Sequence, residues 1–176
     1  MYFDASHISL AFNAFAHAEK MAARHYRMSD DQLRALRYDV KTLAHLEKHE
    51  INDRAFAHLC RYQRQTEKSN DRGGGSHFYR ICLQDNRILD AVNRTSAFIK
   101  LPPLLLYIAA HELIHVIRFD AGEENFEALP DEKAKEEQRV HAITQEILSS
   151  IIYPDLKIVL DCFSDRHRID DLLNLH

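Results

Sequence analysis

Three titratable residues interrupt an apolar stretch near the middle of the chain. The stretch from Leu104 to Phe119 reads LLLYIAAHELIHVIRF and contains His111, Glu112 and His115 in the order H-E-x-x-H. Because a helix turns by about 100° per residue, the two histidines would leave one face a turn apart, with the glutamate beside them. Two imidazoles at this spacing can bind one metal ion, and the carboxylate can face an open coordination position. The motif therefore predicts a Zn²⁺ site at which Glu112 acts as general base towards an attacking water.

The apolar flanks of the motif strengthen this prediction. They place the three residues near the core of the protein, where histidines and a carboxylate are costly to bury without partners. A bound metal ion supplies such a partner. The twelve histidines of the chain are by themselves only weak evidence for metal, so the spacing of the motif carries the prediction.

A catalytic zinc ion takes three protein ligands, so the chain should supply a third ligand elsewhere. The next helix is predicted from about Asp131 to Ile152, with its apolar side facing inward. Glu136 lies one turn before that apolar side, and Glu137 lies on the adjoining part of the face. Glu137 is the first choice as ligand, with His141 as an orienting residue or extra ligand, and Glu136 is the second choice. The acids of the preceding loop are interpreted as solvated charges: Glu123, Glu124 and Glu127.

The elements that position these residues indicate a mostly helical α+β fold in a single domain, residues 1–176. Residues 1–66 are predicted to form N-terminal helices. Residues 78–152 are predicted to form the metal-site core, in which a small antiparallel sheet packs against the two ligand-bearing helices. Pro102 and Pro103 open the first of these helices, because proline at a helix start lacks only a donor that the helix does not use.

Hydrophobic periodicity and turn residues give finer predictions. Helices are predicted over residues 4–27, from a capping box of Ser29 and Gln32 to about Glu50, and over residues 52–65. The glycine-rich stretch 68–77 is predicted to be a loop. Three short segments after it contain strand-favouring residues and are separated by turns: HFYRICL, RILDAV and AFIKL.

The composition excludes several classes of partner. The formal net charge of −4 and the pI of about 6.3 argue against a nucleic-acid-binding surface. No apolar run reaches the roughly 18 residues of a membrane span, and no secretory signal is evident. Cys60, Cys82 and Cys162 are far apart and odd in number, which is typical of a reducing compartment. We therefore predict a cytoplasmic protein without nucleic-acid or membrane partners. The sequence does not predict its oligomeric state.

The combined pattern resembles the gluzincin zinc metallopeptidases over roughly residues 78–150. In that family, an H-E-x-x-H helix is followed by a second helix with a glutamate ligand. The resemblance implies that His111 and His115 bind Zn²⁺, that Glu137 is the third ligand and that Glu112 is the general base of peptide or protein hydrolysis. It also implies that an edge strand binds the substrate in extended form, a role that the segment SAFIKL is placed to fill.

A departure from the family at His141 leaves another interpretation open. This histidine stands where thermolysin-like members have an aspartate, and as a fourth ligand beside His111, His115 and Glu137 it would close a non-catalytic, structural metal site. A further interpretation is a helical di-iron or redox protein, because Glu112 and His115 also form the E-x-x-H motif of carboxylate bundles. A second E-x-x-H is absent from the sequence, which weakens that interpretation.

Overall fold

The computed structural model describes residues 1–63, 77–95 and 98–164, which form six α-helices and three strands. The helices are α1 (Ala5–Tyr26), α2 (Asp30–Ala35), α3 (Asp85–Arg94), α4 (Leu101–Asp120), α5 (Pro130–Ser149) and α6 (Pro154–Ser164). The strands are β1 (Tyr38–Lys41), β2 (Ala57–Gln63) and β3 (His77–Leu83). Two 3-10 turns, Leu43–His45 and Lys48–Glu50, lie between β1 and β2. The predicted α+β class with a helical majority is confirmed.

Helix α4, which carries the H-E-x-x-H motif, lies at the centre of the fold. It packs against α1, α3, α5, α6 and two strands, so most of its side chains are buried whichever way they point. This environment explains why its sequence has no continuous polar face. Pro102 and Pro103 occupy its first turn, as predicted. The chain leaves the helix through Gly122, whose φ of 70° is a left-handed conformation that glycine adopts freely.

Helices α1 and α5 both pack against this central helix, and the sequence predicts both. The Asp4 side chain caps α1 by accepting a hydrogen bond from the backbone N–H of His7. Buried Ala18 and Ala22 belong to an alanine-rich face, whose small side chains allow α1 and α4 to approach closely. Helix α5 agrees with the prediction to within a few residues.

The strands form a mixed sheet rather than the predicted antiparallel one. Strand β3 lies in the middle, antiparallel to β2 and parallel to β1. Fully buried Ile81 of β3 lies opposite Leu59 of β2 and Val40 of β1, which fixes the register across all three strands. Strands β1 and β2 lie on opposite sides of β3 and run in opposite directions, so β3, which is antiparallel to β2, is parallel to β1. Within the described residues, β2 is therefore an edge strand.

The predicted helix over residues 29–50 is wrong beyond Ala35, and the one over residues 52–65 is wrong throughout the part that the structure describes, residues 52–63. Helix α2 has the predicted capping box but ends at Ala35, and β1 and β2 follow. The backbone groups of β1 and β2 bond to β3, and this long-range pairing outweighs a weak local preference for helix. Within the described residues 1–63, the prediction of N-terminal helices over residues 1–66 therefore holds only for α1 and α2.

The predicted strand RILDAV is also wrong, because it lies within α3. One face of this helix buries Ile88 and Ala91, which are three residues apart, as a helix requires. At its start, the carboxylate of Asp85 accepts hydrogen bonds from the backbone N–H groups of Phe3 and Leu43. These distant contacts stabilise the helix, and no local pattern reveals them.

The remaining segment predictions have mixed outcomes. HFYRICL forms β3, as predicted. In AFIKL, Phe98–Lys100 form no strand and Leu101 begins α4, whereas Ala97 lies outside the described residues, as does Ser96. The predicted loop at 68–77 lies outside them too, except for its last residue, which begins β3.

Two further sequence predictions concern the environment of the protein. Its three cysteines are free thiols, as predicted. Among the helices that the structure describes, none combines the length and the hydropathy that a membrane span requires.

Candidate metal centre

Three histidine rings from two helices converge on one carboxylate. His111 and His115 extend from α4, and Glu137 and His141 extend from α5. Nε2 of His111 lies 2.9 Å from Oε1 of Glu137, and Nε2 of His141 lies 3.3 Å from the same oxygen. Nε2 of His115 lies 3.2 Å from the second oxygen, Oε2. The structure thus brings together all four residues that the sequence offers as metal ligands.

Helix geometry accounts for this convergence. His111 and His115 are one turn apart on α4, and their ring centroids are 4.9 Å apart. Glu137 and His141 are likewise one turn apart on α5, and the His141 ring centroid lies 4.5 Å from that of His111. Val140, next to His141, is fully buried and anchors this part of α5 in the core. The packing of the two helices therefore determines the spacing of the four side chains.

The donor set fits a divalent metal ion such as zinc. Histidine nitrogens and carboxylate oxygens bind zinc at about 2.0–2.2 Å, so two such atoms on a tetrahedral ion lie about 3.3–3.5 Å apart. The nitrogen-to-oxygen distances in the cluster, 2.9, 3.2 and 3.3 Å, are close to that separation. His111, Glu137 and His141 each offer a ligand atom within 4.8 Å of the other two. These three residues could therefore share one ion, and His115 contacts the second oxygen of Glu137.

Two of the three rings are held from behind by hydrogen bonds. Nδ1 of His115 donates to the carboxylate of Glu124, at 3.0 and 2.9 Å from its two oxygens. Nδ1 of His141 lies 2.6 Å from the hydroxyl oxygen of Tyr107. Partners of this kind orient a metal-binding histidine and settle which nitrogen is left for the ion. In both rings, Nε2 is the nitrogen that faces Glu137.

The third ring, that of His111, differs from the other two. Its Nδ1 is buried and has no hydrogen-bond partner in the described part of the chain. The ring stacks on Tyr107 instead, with the centroids 6.0 Å apart. Burial lowers the pKa of His111 to about 4, despite the opposing hydrogen bond to Glu137. His111 is therefore neutral near pH 7, and the neutral ring is the form that binds metal.

Charge in the cluster is concentrated on Glu137 and His115. Burial opposes ionisation of Glu137, but hydrogen bonds from His111, His115 and His141 hold its pKa well below the usual range. Burial also opposes charge on His115, but hydrogen bonds to Glu124 and Glu137 raise its pKa to about 10. An ionised carboxylate thus lies at the centre of the cluster, as a metal site requires. Without metal it is paired with a His115 cation, which would release its Nε2 proton on binding an ion.

Glu112 lies beside the cluster in the wall of a cavity. The cavity has a volume of about 490 Å³, and all four residues of the cluster line it as well. Glu112 is half-buried and makes no hydrogen bond or ion pair with another described residue. Burial raises the pKa of this carboxyl group to about 7, although the nearby His115 opposes the rise. A carboxylate with such a pKa can accept a proton near neutral pH.

Glu136, the second choice as third ligand, belongs to a separate ion-pair network. Its carboxylate accepts hydrogen bonds from Arg118 and Arg139, and Arg118 also binds Glu123. One residue of helix corresponds to a rotation of about 100°, which turns Glu136 away from the side on which Glu137 meets the histidines. The structure therefore favours Glu137 over Glu136 as a ligand.

Two residues of the site are not predicted by the sequence. The interpretation of Glu124 as a solvated charge is wrong, because its side chain is 9% exposed and binds His115. The chain turns at Gly122 soon after α4 ends. An acidic residue close after such a turn can reach back to the helix, and this is the feature of the sequence that could have indicated Glu124. Tyr107 lies one turn before His111 on α4, so helical spacing alone could have placed it on the same side.

Comparisons with known proteins found no match. No protein-family model matches the chain, and neither does a curated protein or a solved structure. The likeness to gluzincins consequently stays a resemblance of motif, and function has to be inferred from the geometry of the site.

Proposed function

We propose that the protein is a metal-dependent hydrolase whose substrate is a peptide or protein. The observation that supports this proposal best is the convergence of His111, His115 and His141 on Glu137, in the wall of a cavity that Glu112 also lines. A hydrolase of this kind needs metal ligands, a carboxylate base and space for a substrate side by side. The cluster, Glu112 and the cavity offer these three features.

We propose Zn²⁺ as the ion, because an imidazole-rich donor set suits it. Magnesium and calcium prefer oxygen ligands, whereas three of the four donors here are imidazole nitrogens. The residues that would hold the ion in a hydrolase are His111, His115 and Glu137. His141 lies next to the same carboxylate and would orient it or join the set as a fourth ligand. When bound, zinc lowers the pKa of a coordinated water and polarises a carbonyl group.

The chain's own residues supply the remaining parts of the proposed reaction. Glu112 follows His111 directly on α4, and its carboxylate in the cavity wall accepts the proton of the attacking water. Glu124 orients His115 from behind, and Tyr107 does the same for His141. Proton transfer and ring orientation are thereby assigned to different side chains.

The edge of the sheet offers a place for an extended substrate. Ala57, His58 and Leu59 of β2 line the cavity, and β2 pairs only with β3 among the described strands. An extended peptide can add to a free strand edge through main-chain hydrogen bonds. The role that the resemblance gives to SAFIKL therefore passes to β2, because Phe98–Lys100 form no strand.

His141 supports one other candidate function. With His111, His115 and Glu137 it makes a set of four protein donors, and four ligands without a water molecule are typical of a structural zinc site. In that case the protein would be a non-catalytic metal-binding or scaffold protein. The identity and number of bound ions separate both candidates from a di-iron or redox protein, which needs two iron ions.

The deciding experiment combines metal analysis with the variant Glu112→Gln. We expect about one zinc ion per chain, bound equally by the wild type and the variant. Peptide hydrolysis should fall by a factor of about 100 or more in the variant, because the general base is lost. The matched control is Glu127→Gln, at an exposed glutamate outside the cluster, which should keep both properties.

Other results would contradict the proposal. Loss of metal from the Glu112→Gln variant would make Glu112 a ligand, and retained hydrolysis would exclude it as the base. An anomalous-scattering map with four protein ligands and no coordinated water would favour the structural site.

A further inference from the structure

We propose that the cavity selects peptides in which a carboxylate lies next to a large aromatic or apolar residue. This proposal rests on the proposed function and specifies the class of peptide substrate. The feature that points to it is a pair of cations, Arg54 and Lys133, which line the same cavity as the metal cluster. Both side chains are exposed, and neither forms an ion pair or side-chain hydrogen bond within residues 1–63, 77–95 and 98–164.

Lys133 lies on α5, one turn before Glu137 and two turns before His141. Residues four apart on a helix are neighbours, at about 5–6 Å between Cβ atoms, so Lys133 could in principle pair with Glu137. The Glu137 carboxylate faces three imidazoles instead, with Nε2 atoms at 2.9, 3.2 and 3.3 Å. The ammonium group is therefore left for a ligand beside the cluster.

Arg54 reaches the cavity from the segment that leads into β2. Its backbone N–H donates to the side chain of Asn52 at 3.0 Å, which shapes a turn just before the strand. Its guanidinium group can bind a carboxylate through two parallel hydrogen bonds. Because an extended substrate would lie along β2, a carboxylate of that substrate comes within reach of this group.

Aromatic rings form much of the cavity wall. They come from two pairs: Phe56 with Phe163, 6.1 Å apart between centroids, and Phe119 with Phe126, 5.1 Å apart. A volume of about 490 Å³ is typical of a small-ligand site and can hold a large side chain with its neighbours. Aromatic side chains gain free energy from such walls by burial and by ring stacking.

The charges of the cavity support a carboxylate rather than an ammonium group as the ligand. Its acidic residues are already engaged, since Glu124 binds His115 and Glu137 binds the imidazoles, while Glu112 is assigned to the water. The acids of the cavity therefore do not neutralise Arg54 and Lys133, although the whole chain has a net charge of −4. The carboxylate can belong to an acidic side chain or to a peptide C-terminus, because both present the same chemistry.

The test is a binding assay that does not depend on turnover. The chain contains no tryptophan, so a tryptophan-containing peptide reports its own binding by fluorescence anisotropy. The Glu112→Gln protein, as purified, is titrated with acetyl-Ala-Trp-Glu-Ala-amide and with the versions that have Gln or Lys in place of Glu. The Glu and Gln peptides form the first pair. The second pair is acetyl-Ala-Ala-Trp with a free C-terminal carboxylate and the same peptide with a C-terminal amide. We expect the carboxylate form of at least one pair to bind about five- to tenfold more tightly, as two exposed ion pairs would allow.

A charge-reversal variant makes the test specific. Arg54→Glu combined with Lys133→Glu should remove the preference for the carboxylate and favour the Lys peptide. The matched control is Lys135→Glu, at an exposed lysine on the same helix that does not line the cavity; it should keep the carboxylate preference. A preference confined to one peptide pair identifies the side chain or the C-terminus as the source.

Two results would overturn the inference: equal affinity within both peptide pairs, or a carboxylate preference that survives the charge reversal. The proposed function fails separately. A protein that prefers carboxylates but binds no metal and hydrolyses no peptide would contradict the proposed function alone. A protein that hydrolyses acidic and neutral peptides equally well, without a difference in affinity, would contradict the selectivity alone.

Discussion

The carboxylate of Glu124 holds the ring of His115 from behind, with Nδ1 at 3.0 and 2.9 Å from its two oxygens. The contact joins the loop after α4 to the helix itself, across nine residues of sequence. The side chains of Glu124 and His115 are only 9% and 12% exposed, so water competes weakly for the hydrogen bond. The contact fixes the ring with Nε2 towards Glu137, and the loop thereby contributes to the geometry of the cluster.

We expect Glu124→Gln to weaken metal binding about 10- to 100-fold, as is typical when a partner behind a metal-binding histidine is removed. The amide is uncharged and supports the His115 ring less well. Competition with a chromophoric chelator measures the affinity. The control is Glu127→Gln, because Glu127 is 79% exposed and binds Arg61 away from the cluster. Equal losses in both variants, or unchanged affinity in Glu124→Gln, would show that the contact does not support metal binding.

Tyr107→Phe should lower the metal affinity by about tenfold, because Nδ1 of His141 loses the hydroxyl group at 2.6 Å. Phenylalanine keeps the ring that stacks on Phe163 at 4.0 Å between centroids, so the core around it should stay packed. The free energy of unfolding should change by only about 1 kcal/mol. Chelator competition and denaturant unfolding measure the two quantities.

The variant His141→Gln separates two roles of this histidine. If His141 is a ligand, its removal should weaken metal binding more than Tyr107→Phe does, because a donor atom is lost and not merely its orientation. Equal effects of the two variants would make His141 an orienting residue and reduce the ligand set to three.

The sequence could predict the cluster because its four residues lie on two long helices. The turn of about 100° per residue fixes which side chains share a face of a helix. The sequence therefore predicts two pairs of neighbouring side chains, His111 with His115 and Glu137 with His141. Glu124 was not predicted, because a loop residue has no periodicity that shows its direction. Its contact with His115 depends on how the chain turns after α4, which only the packed structure shows.

The sheet was less predictable for a related reason. Strands β1 and β2 depend on hydrogen bonds to β3, which lies far along the chain, and local patterns report only near neighbours. Leu59 and Val40 fit a helical stripe as well as they fit positions opposite Ile81. By contrast, α4 was predictable because a long apolar run after two prolines has few alternatives.

Glu136→Gln and Glu137→Gln should have opposite effects, although the two residues are adjacent. Glu136 pairs with Arg118, whose side chain is 6% exposed, so its replacement should lower the free energy of unfolding by about 2 kcal/mol and leave metal binding intact. Glu137→Gln should abolish tight metal binding, because the carboxylate at the centre of the cluster is lost. Urea unfolding and metal analysis of both variants test this. Metal loss in Glu136→Gln with retention in Glu137→Gln would reverse the ligand assignment.

A buried carboxylate outside the metal cluster should control stability in acid. The side chain of Glu50 is fully buried, where it accepts hydrogen bonds from Tyr62, from the backbone N–H of Glu47 at 2.8 Å and from Arg80 at 3.1 Å. Burial opposes its ionisation, but these three partners lower the pKa from 4.5 to about 2. Because the pKa is lower in the folded state, ionised Glu50 stabilises the fold above about pH 4.5, and this contribution is lost as the pH falls towards 2.

Glu50→Gln should therefore be less stable than the wild type at pH 6 to 7 and approach it near pH 2, where about half of the wild-type carboxyl groups are protonated. Urea midpoints measured between pH 2 and 7 give the two profiles. Glu47→Gln is the control, because the side chain of Glu47 is 72% exposed and should leave the profile almost unchanged. A constant difference between Glu50→Gln and the wild type across the whole range would mean that Glu50 acts through packing. Convergence in acid would show that its charge, held by Arg80 of β3 and Tyr62 of β2, stabilises the fold.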